Sequence, residues 1–145
     1  MGQQQLLLLV LATVIVGIAT VVGIQAFSQN NVKSNADAML NDAVRIASDA
    51  QAWAQKAQPF GGPATYGQFT DGTTAVTLAN LGYTVNTDGK YETLNGECSI
   101  GSVTAAGLTV TCINDVLLNE VTATVTGLTD ADIDGAIVEL GTYTE

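Results

Sequence analysis

The chain has 145 residues, a net charge of −10 from fourteen acids and four bases, and no histidine. That length holds one modest domain besides any membrane segment. The missing histidine removes the commonest general base and metal ligand, and the acidity disfavours nucleic acid and anionic lipid as partners.

The first element is Leu6–Ile24, LLLLVLATVIVGIATVVGI, which carries no charge and only Thr13 and Thr20 as polar side chains. A helix needs about 20 apolar residues to cross a bilayer core roughly 30 Å thick, so this stretch can span one. A cleaved signal peptide has a basic leader, a short apolar core and a small-residue cleavage site. Here Met1-Gly2-Gln3-Gln4-Gln5 precedes a long apolar run, and Gln25-Ala26-Phe27-Ser28 follows it. The expectation is a retained segment, whose absent basic flank is accounted for if a short leader preceding Met1 was removed. Within it Thr13, Gly17, Thr20 and Gly23 give a face of small residues that permits close helix–helix approach; glycine is also simply common in membrane helices.

From Phe27 to Ala57 there is no Pro or Gly. Val32, Ala36, Met39, Ala43, Ile46, Ala50, Trp53 and Ala57 recur in steps of four and three, the stripe of an amphipathic helix. Lys33 with Asp37, and Arg45 with Asp49, have the four-residue spacing of surface ion pairs. Pro59 and Gly61-Gly62-Pro63 end the pattern. One helix is therefore expected over residues 1–58, with 1–27 apolar and 28–58 amphipathic. Its charge is balanced, and the whole acidic excess lies from Pro59 onward, where Lys90 is the single base.

Residues 59–82 read as a connecting loop region and 83–145 as a β head. Asp88-Gly89, Asn95-Gly96 and Asp134-Gly135 are hairpin signals. They divide short runs rich in Thr, Val, Ile and Tyr, among them Tyr83–Thr87, Glu97–Val103, Gly107–Ile113 and Glu120–Thr126. The expectation is an antiparallel meander of five to seven strands with one half-buried face, covered by the amphipathic helix. The fold class is thus α+β. A hairpin centred on Ala105 sets Gly101 opposite Thr109 and Cys98 opposite Cys112. A single disulfide suits an even cysteine count on an exported domain; two buried thiols are the alternative.

Chemistry is sparse. No Ser/His or Cys/His pair can form, no glycine-rich phosphate loop is present, and the acids are scattered, so the chain is not read as an enzyme and no cofactor is expected. The one metal candidate is Asp130, Asp132 and Asp134, the D-x-D-x-D-G opening of a calcium loop. Its twelfth position holds Gly141, and Glu139 comes two residues early. The alternative is the acidic face of a hairpin.

This order of parts resembles a mature type IV pilin, or a relative such as a type II secretion pseudopilin. The parts are a short polar start, an apolar half-helix, an amphipathic half-helix and a disulfide-bearing β head. The resemblance covers the whole chain in architecture and Met1 to about Phe27 in sequence. It implies a homo-oligomeric extracellular filament at the cell surface, drawn from an inner-membrane pool by a pilus assembly machinery. Apolar helices would form its core and acidic heads its surface. It also implies Met1 as the processed N-terminus. The family's glutamate five residues in is here Gln5, which can hydrogen-bond but cannot neutralise a neighbour's terminal amine. Its frequent proline near position 22 is here Val22. A second class of function is a single-pass membrane-anchored extracytoplasmic binding module, calcium-linked or not.

Overall fold

The structure is a computed structural model and describes residues 2–141. One helix, α1, runs over Gly2–Ala54. Five strands follow: β1 (Tyr91–Glu92), β2 (Glu97–Gly101), β3 (Leu108–Asn114), β4 (Asn119–Val125) and β5 (Ile133–Glu139). They form one antiparallel sheet in the order β1-β2-β3-β4-β5. The architecture is the α+β arrangement expected, a long N-terminal helix on an antiparallel meander.

At about 1.5 Å per residue, the 53 residues of α1 extend roughly 80 Å. The helix stops a turn earlier than the sequence pattern implies. The Lys56 N–H turns back to the Trp53 carbonyl, Ala57 is extended, and Pro59 sits in a separate 3-10 turn, Gln58–Phe60, where its missing N–H costs nothing. Gly62 then passes so close to Lys56 that a Cβ there would lie 2.2 Å from its carbonyl oxygen. Only glycine allows the chain to fold back at that point.

The amphipathic stripe becomes the helix side of the core. Ala36, Met39, Ala43, Ile46, Ala47, Ala50, Trp53 and Ala54 are buried against the sheet. The run of alanines lets the sheet approach α1 closely, and Met39, Ile46 and Trp53 fill the remaining space. From the sheet, Val110 and Cys112 of β3 alternate inward, as do Val121, Ala123 and Val125 of β4. The intervening Thr109, Thr111, Thr122 and Thr124 face outward and are half-buried. This is the period-two pattern of a sheet with one covered face.

Three elements differ from expectation. The Asp88-Gly89 turn forms, with Gly89 donating to the Asn86 carbonyl, but Tyr83–Thr87 before it is not a strand. The Asp134-Gly135 pair is no hairpin; it runs straight through β5. A Cβ on Gly135 would meet Leu40 of α1 at 2.9 Å, so this glycine serves helix–sheet contact rather than a turn. The straight course sets Ile133, Gly135 and Ile137 on the helix face and sends Asp134 and Ala136 to the other. Finally, the loop at 59–82 is not mere connection, because its Phe69, Val76 and Leu78 are buried in the core.

Polar side chains fix α1 to the sheet at both ends of their contact. Asn119, at the start of β4, is fully buried. Its Nδ2 donates to the Val32 carbonyl and to Asn35 Oδ1, both at 2.9 Å, and its Oδ1 accepts from the Gly141 N–H at 3.0 Å. At the other end, Gln51 Nε2 donates to the carbonyls of Gly127 (2.9 Å) and Thr129 (2.8 Å). The nineteen helical residues between Val32 and Gln51 rise about 28 Å, and the eight strand residues between Asn119 and Gly127 rise about 27 Å. The matched lengths mean that α1 runs alongside β4 in the same direction.

Asn119→Ala leaves a helix carbonyl and two other polar groups without their buried partner. It should destabilise the full chain in detergent by about 2–4 kcal/mol, whereas exposed Asn41→Ala should change it by less than about 0.5 kcal/mol. Urea unfolding of both variants tests this, and equal effects would remove the clamp from the account.

Candidate functional site

The first half of α1 touches nothing. From Leu6 to Phe27 every residue is exposed, and the most apolar eighteen-residue window has mean hydropathy 2.8 with none of it buried. By length and composition this helix can cross a membrane. The segment's two hydroxyls are internally satisfied. Thr13 donates to the Val10 carbonyl and Thr20 to the Gly17 carbonyl, each at 2.8 Å, which spares apolar surroundings an unpaired polar group. Gly17 and Gly23 lie open, with no atom within 4 Å of where a Cβ would stand. Gln5 is exposed near the start of the helix, and Met1 lies outside the described residues.

The sheet brings the two cysteines together. β2 and β3 pair Cys98 with Cys112 and Gly101 with Thr109, the register expected from a turn centred on Ala105. Cys98 and Cys112 form a disulfide buried in the core, with Val121 of β4 paired opposite Cys112.

The three aspartates do not converge. Asp130 and Asp132 stand in a short 3-10 turn, Asp130–Asp132, and Asp134 lies on β5. The Asp132 carboxylate turns back to cap that turn. It accepts from the Thr129 hydroxyl at 2.6 Å and the Thr129 N–H at 3.0 Å, and these bonds lower its pKa. A calcium loop needs the same oxygens turned to one point, with a bidentate acid closing the shell. Glu139 is six residues further along β5 than Ile133, about 20 Å away. Among the described residues no group of three or more acidic or cysteine side chains is placed to hold a metal. The three aspartates lie instead in a capped turn that leads into an edge strand.

Several residues that organise the head gave no signal in the sequence. Arg45 and Asp49 do not pair with each other, nor Lys33 with Asp37; among the described residues the one ion pair is Lys90–Glu97 at 3.0 Å. Arg45 and Asp49 instead both engage Tyr83. The Tyr83 hydroxyl donates to Asp49, and the Arg45 guanidinium stands 5.8 Å over the ring. The Tyr91 ring packs against Tyr83 with centroids 4.7 Å apart. Burial, and then the hydrogen bond to a carboxylate, hold the Tyr83 phenol neutral and push its pKa up to about 12. Asp71 organises the loop. Its carboxylate accepts from the N–H of Thr74 and from the hydroxyl and N–H of Thr73, with Ala64 N–H beyond, and its pKa falls to about 2.

Asparagines gather where the β1–β2 and β3–β4 turns meet α1. Asn35 donates to the Asn95 carbonyl, Asn95 donates to Asp42, and Asn119 donates to Asn35. Neutral amides can both donate and accept, so they join helix to turn without burying charge. Nothing in their spacing distinguishes them from ordinary turn residues.

No protein-family model, curated protein or solved structure matches this chain.

Two outcomes are expected. Replacing Cys98 and Cys112 together by Ser should cost about 3 kcal/mol on the chain-entropy account of a loop this size; an unchanged melting temperature under oxidising conditions would sink it. Tyr83 has a raised folded pKa, so its contribution is whole below pH about 10 and fades as pH climbs toward 12. An absorbance titration should show a tyrosinate component appearing near pH 12 that Tyr83→Phe removes.

Proposed function

We propose that the chain is the structural subunit of an extracellular type IV pilus-like filament, assembled from a membrane-held pool. Apolar N-terminal helices bundle as the core, and acidic β heads cover the surface. The observation that carries this reading is the division of one unbroken helix. Its first half is wholly exposed and apolar, while its second half is welded into the head. A tether that only kept a binding module near a membrane has no need of such rigidity and would tolerate a flexible polar linker. A filament subunit needs the head held at a fixed angle and height to the part that bundles.

The composition agrees. A strongly acidic, threonine-rich head stays soluble on a crowded surface, and the exposed apolar half needs lipid or neighbouring helices as its solvent. Gly17 and the hydroxyls of Thr13 and Thr20, folded back on their own helix, leave a low surface for close packing. With Gln5 in place of an acid, the start of the helix contributes hydrogen bonds but no charge to a neighbour. The reading assigns the chain no catalytic step.

Electron microscopy and mass spectrometry of material sheared from producing cells test this. Thin filaments built from this chain are expected. Gly17→Leu should deplete them several-fold while leaving membrane insertion intact. Protein found only as membrane-bound monomer would instead favour an anchored binding module.

A further inference from the structure

The turns of the head are asymmetric. Successive antiparallel strands place the β2–β3 and β4–β5 turns at the end of the sheet beside Gln51 and Ala54 of α1. Apolar side chains in those turns, Val103 and Leu128, pack back onto the core. The β3–β4 turn and the end of β5 lie at the opposite end, beside Val32. There the apolar side chains point outward. Val116 is 89% exposed, and Leu118 and Leu140 are each more than a third exposed. Turns ordinarily carry Gly, Asn, Asp or Ser; this one reads Asp115-Val116-Leu117-Leu118. Leu118 moreover adopts φ +53°, left-handed backbone that favours glycine or asparagine. A strained, solvent-facing leucine two residues from exposed Val116 gains nothing for the fold, which points to a use outside it. Exposed apolar residues occur at the far end too, in Phe60 and Tyr66, so position rather than exposure singles out this group.

That position is the end nearest the membrane-length segment. Leu140 and Gly141 lie along the Ser28–Lys33 stretch of α1, and Gly141 lies beside both Val32 and the Leu117 carbonyl. Val32 stands eight residues beyond Ile24, a rise of about 12 Å, and five beyond exposed Phe27, about 7.5 Å. The turn precedes Asn119, from which β4 leads away toward Gln51, so it lies at the Val32 end of the head. The intervening residues, Gln25 to Val32, carry no charge; Lys33 is the first, with Asp37 above it and Asp115 beside the turn. Headgroup layers add roughly 5–8 Å on each side of the hydrocarbon, and Ser28, against which Leu140 lies, stands about 6 Å beyond Ile24, so the base of the head reaches that layer when Leu6–Ile24 spans the hydrocarbon.

We infer that the base of the head, through Val116, Leu118 and Leu140, seats in the interfacial layer of a neutral lipid bilayer while the chain waits as a membrane-held subunit. This rests on the membrane-pool part of the proposed function. Continuity with the spanning segment selects lipid as the occupant, and the head's acidity selects zwitterionic over anionic headgroups. The seat fixes the height and rotation of the head.

The test uses the full chain in phosphatidylcholine vesicles with acyl chains brominated at carbons 6 and 7, which quench nearby tryptophan. Three single variants are compared with the parent, whose buried Trp53 gives a constant background: Ile24→Trp in the span, Val116→Trp at the base and Ala105→Trp at the far end. The expected result is strong quenching of Ile24→Trp, intermediate quenching of Val116→Trp and none of Ala105→Trp. Adding anionic lipid should weaken only the second. Quenching of Ile24→Trp with Val116→Trp at the parent level overturns the seat and leaves the span intact. Equal quenching at Val116 and Ala105 also overturns it, by showing a head with no preferred end down. No quenching at any position overturns the span and the seat together.

Discussion

The side-chain amide of Asn119 closes the contact on which the rest of this structure depends. It is buried, with its nitrogen and its oxygen both hydrogen-bonded, and it joins three parts of the chain: α1 at Val32 and Asn35, the start of β4, and Gly141 just past β5. Its counterpart Gln51 repeats the arrangement some 28 Å further along the helix. Apolar packing alone is non-directional, and an alanine-rich face against a valine-rich sheet would leave the helix free to slide. The two amides turn that contact into one register. They also avoid buried charge, which is costly unless fully paired.

Much of this fold was legible because its strongest signals are periodic. The three-and-four spacing of Val32 to Trp53 gave the buried face of α1, and Val121-Ala123-Val125 gave β4. The symmetry of the chain about Ala105 gave the β2–β3 register and with it the Cys98–Cys112 pair. What failed was local chemistry read in isolation. Asp134-Gly135 has the composition of a turn, but Leu40 and Val44 press on that glycine from α1, so it sits in a strand. Arg45 and Asp49 are spaced to pair, but Tyr83 arrives from a distant loop and takes both. In each case a residue far along the chain decided the outcome.

The candidate site was legible in part for the same reason. A stretch such as Leu6–Ile24 declares its solvent by composition alone, and its exposure follows from the absence of anything in the head to cover it. The asparagine cluster at the base, and the outward aim of Val116, depend on which strand ends meet which turn of α1. No window of sequence contains that information. The disulfide and the buried Phe69, Val76 and Leu78 have a common rationale. A head with few aromatics buries a small core, so it draws apolar residues from a loop and adds a covalent closure.

The unbroken course of α1 also determines how the molecule bears force. Pulled along its axis, the helix cannot peel from the sheet one contact at a time, because it lies alongside β4 with its fastenings spread over the full shared length. The load falls on Asn119, Gln51 and the interdigitated Met39, Ile46 and Trp53 at once, in shear. Moving to the next register means a displacement of about 5.4 Å, one helical turn, with every fastening released together. The joint is therefore brittle but strong: rigid up to a threshold, with no graded yielding below it.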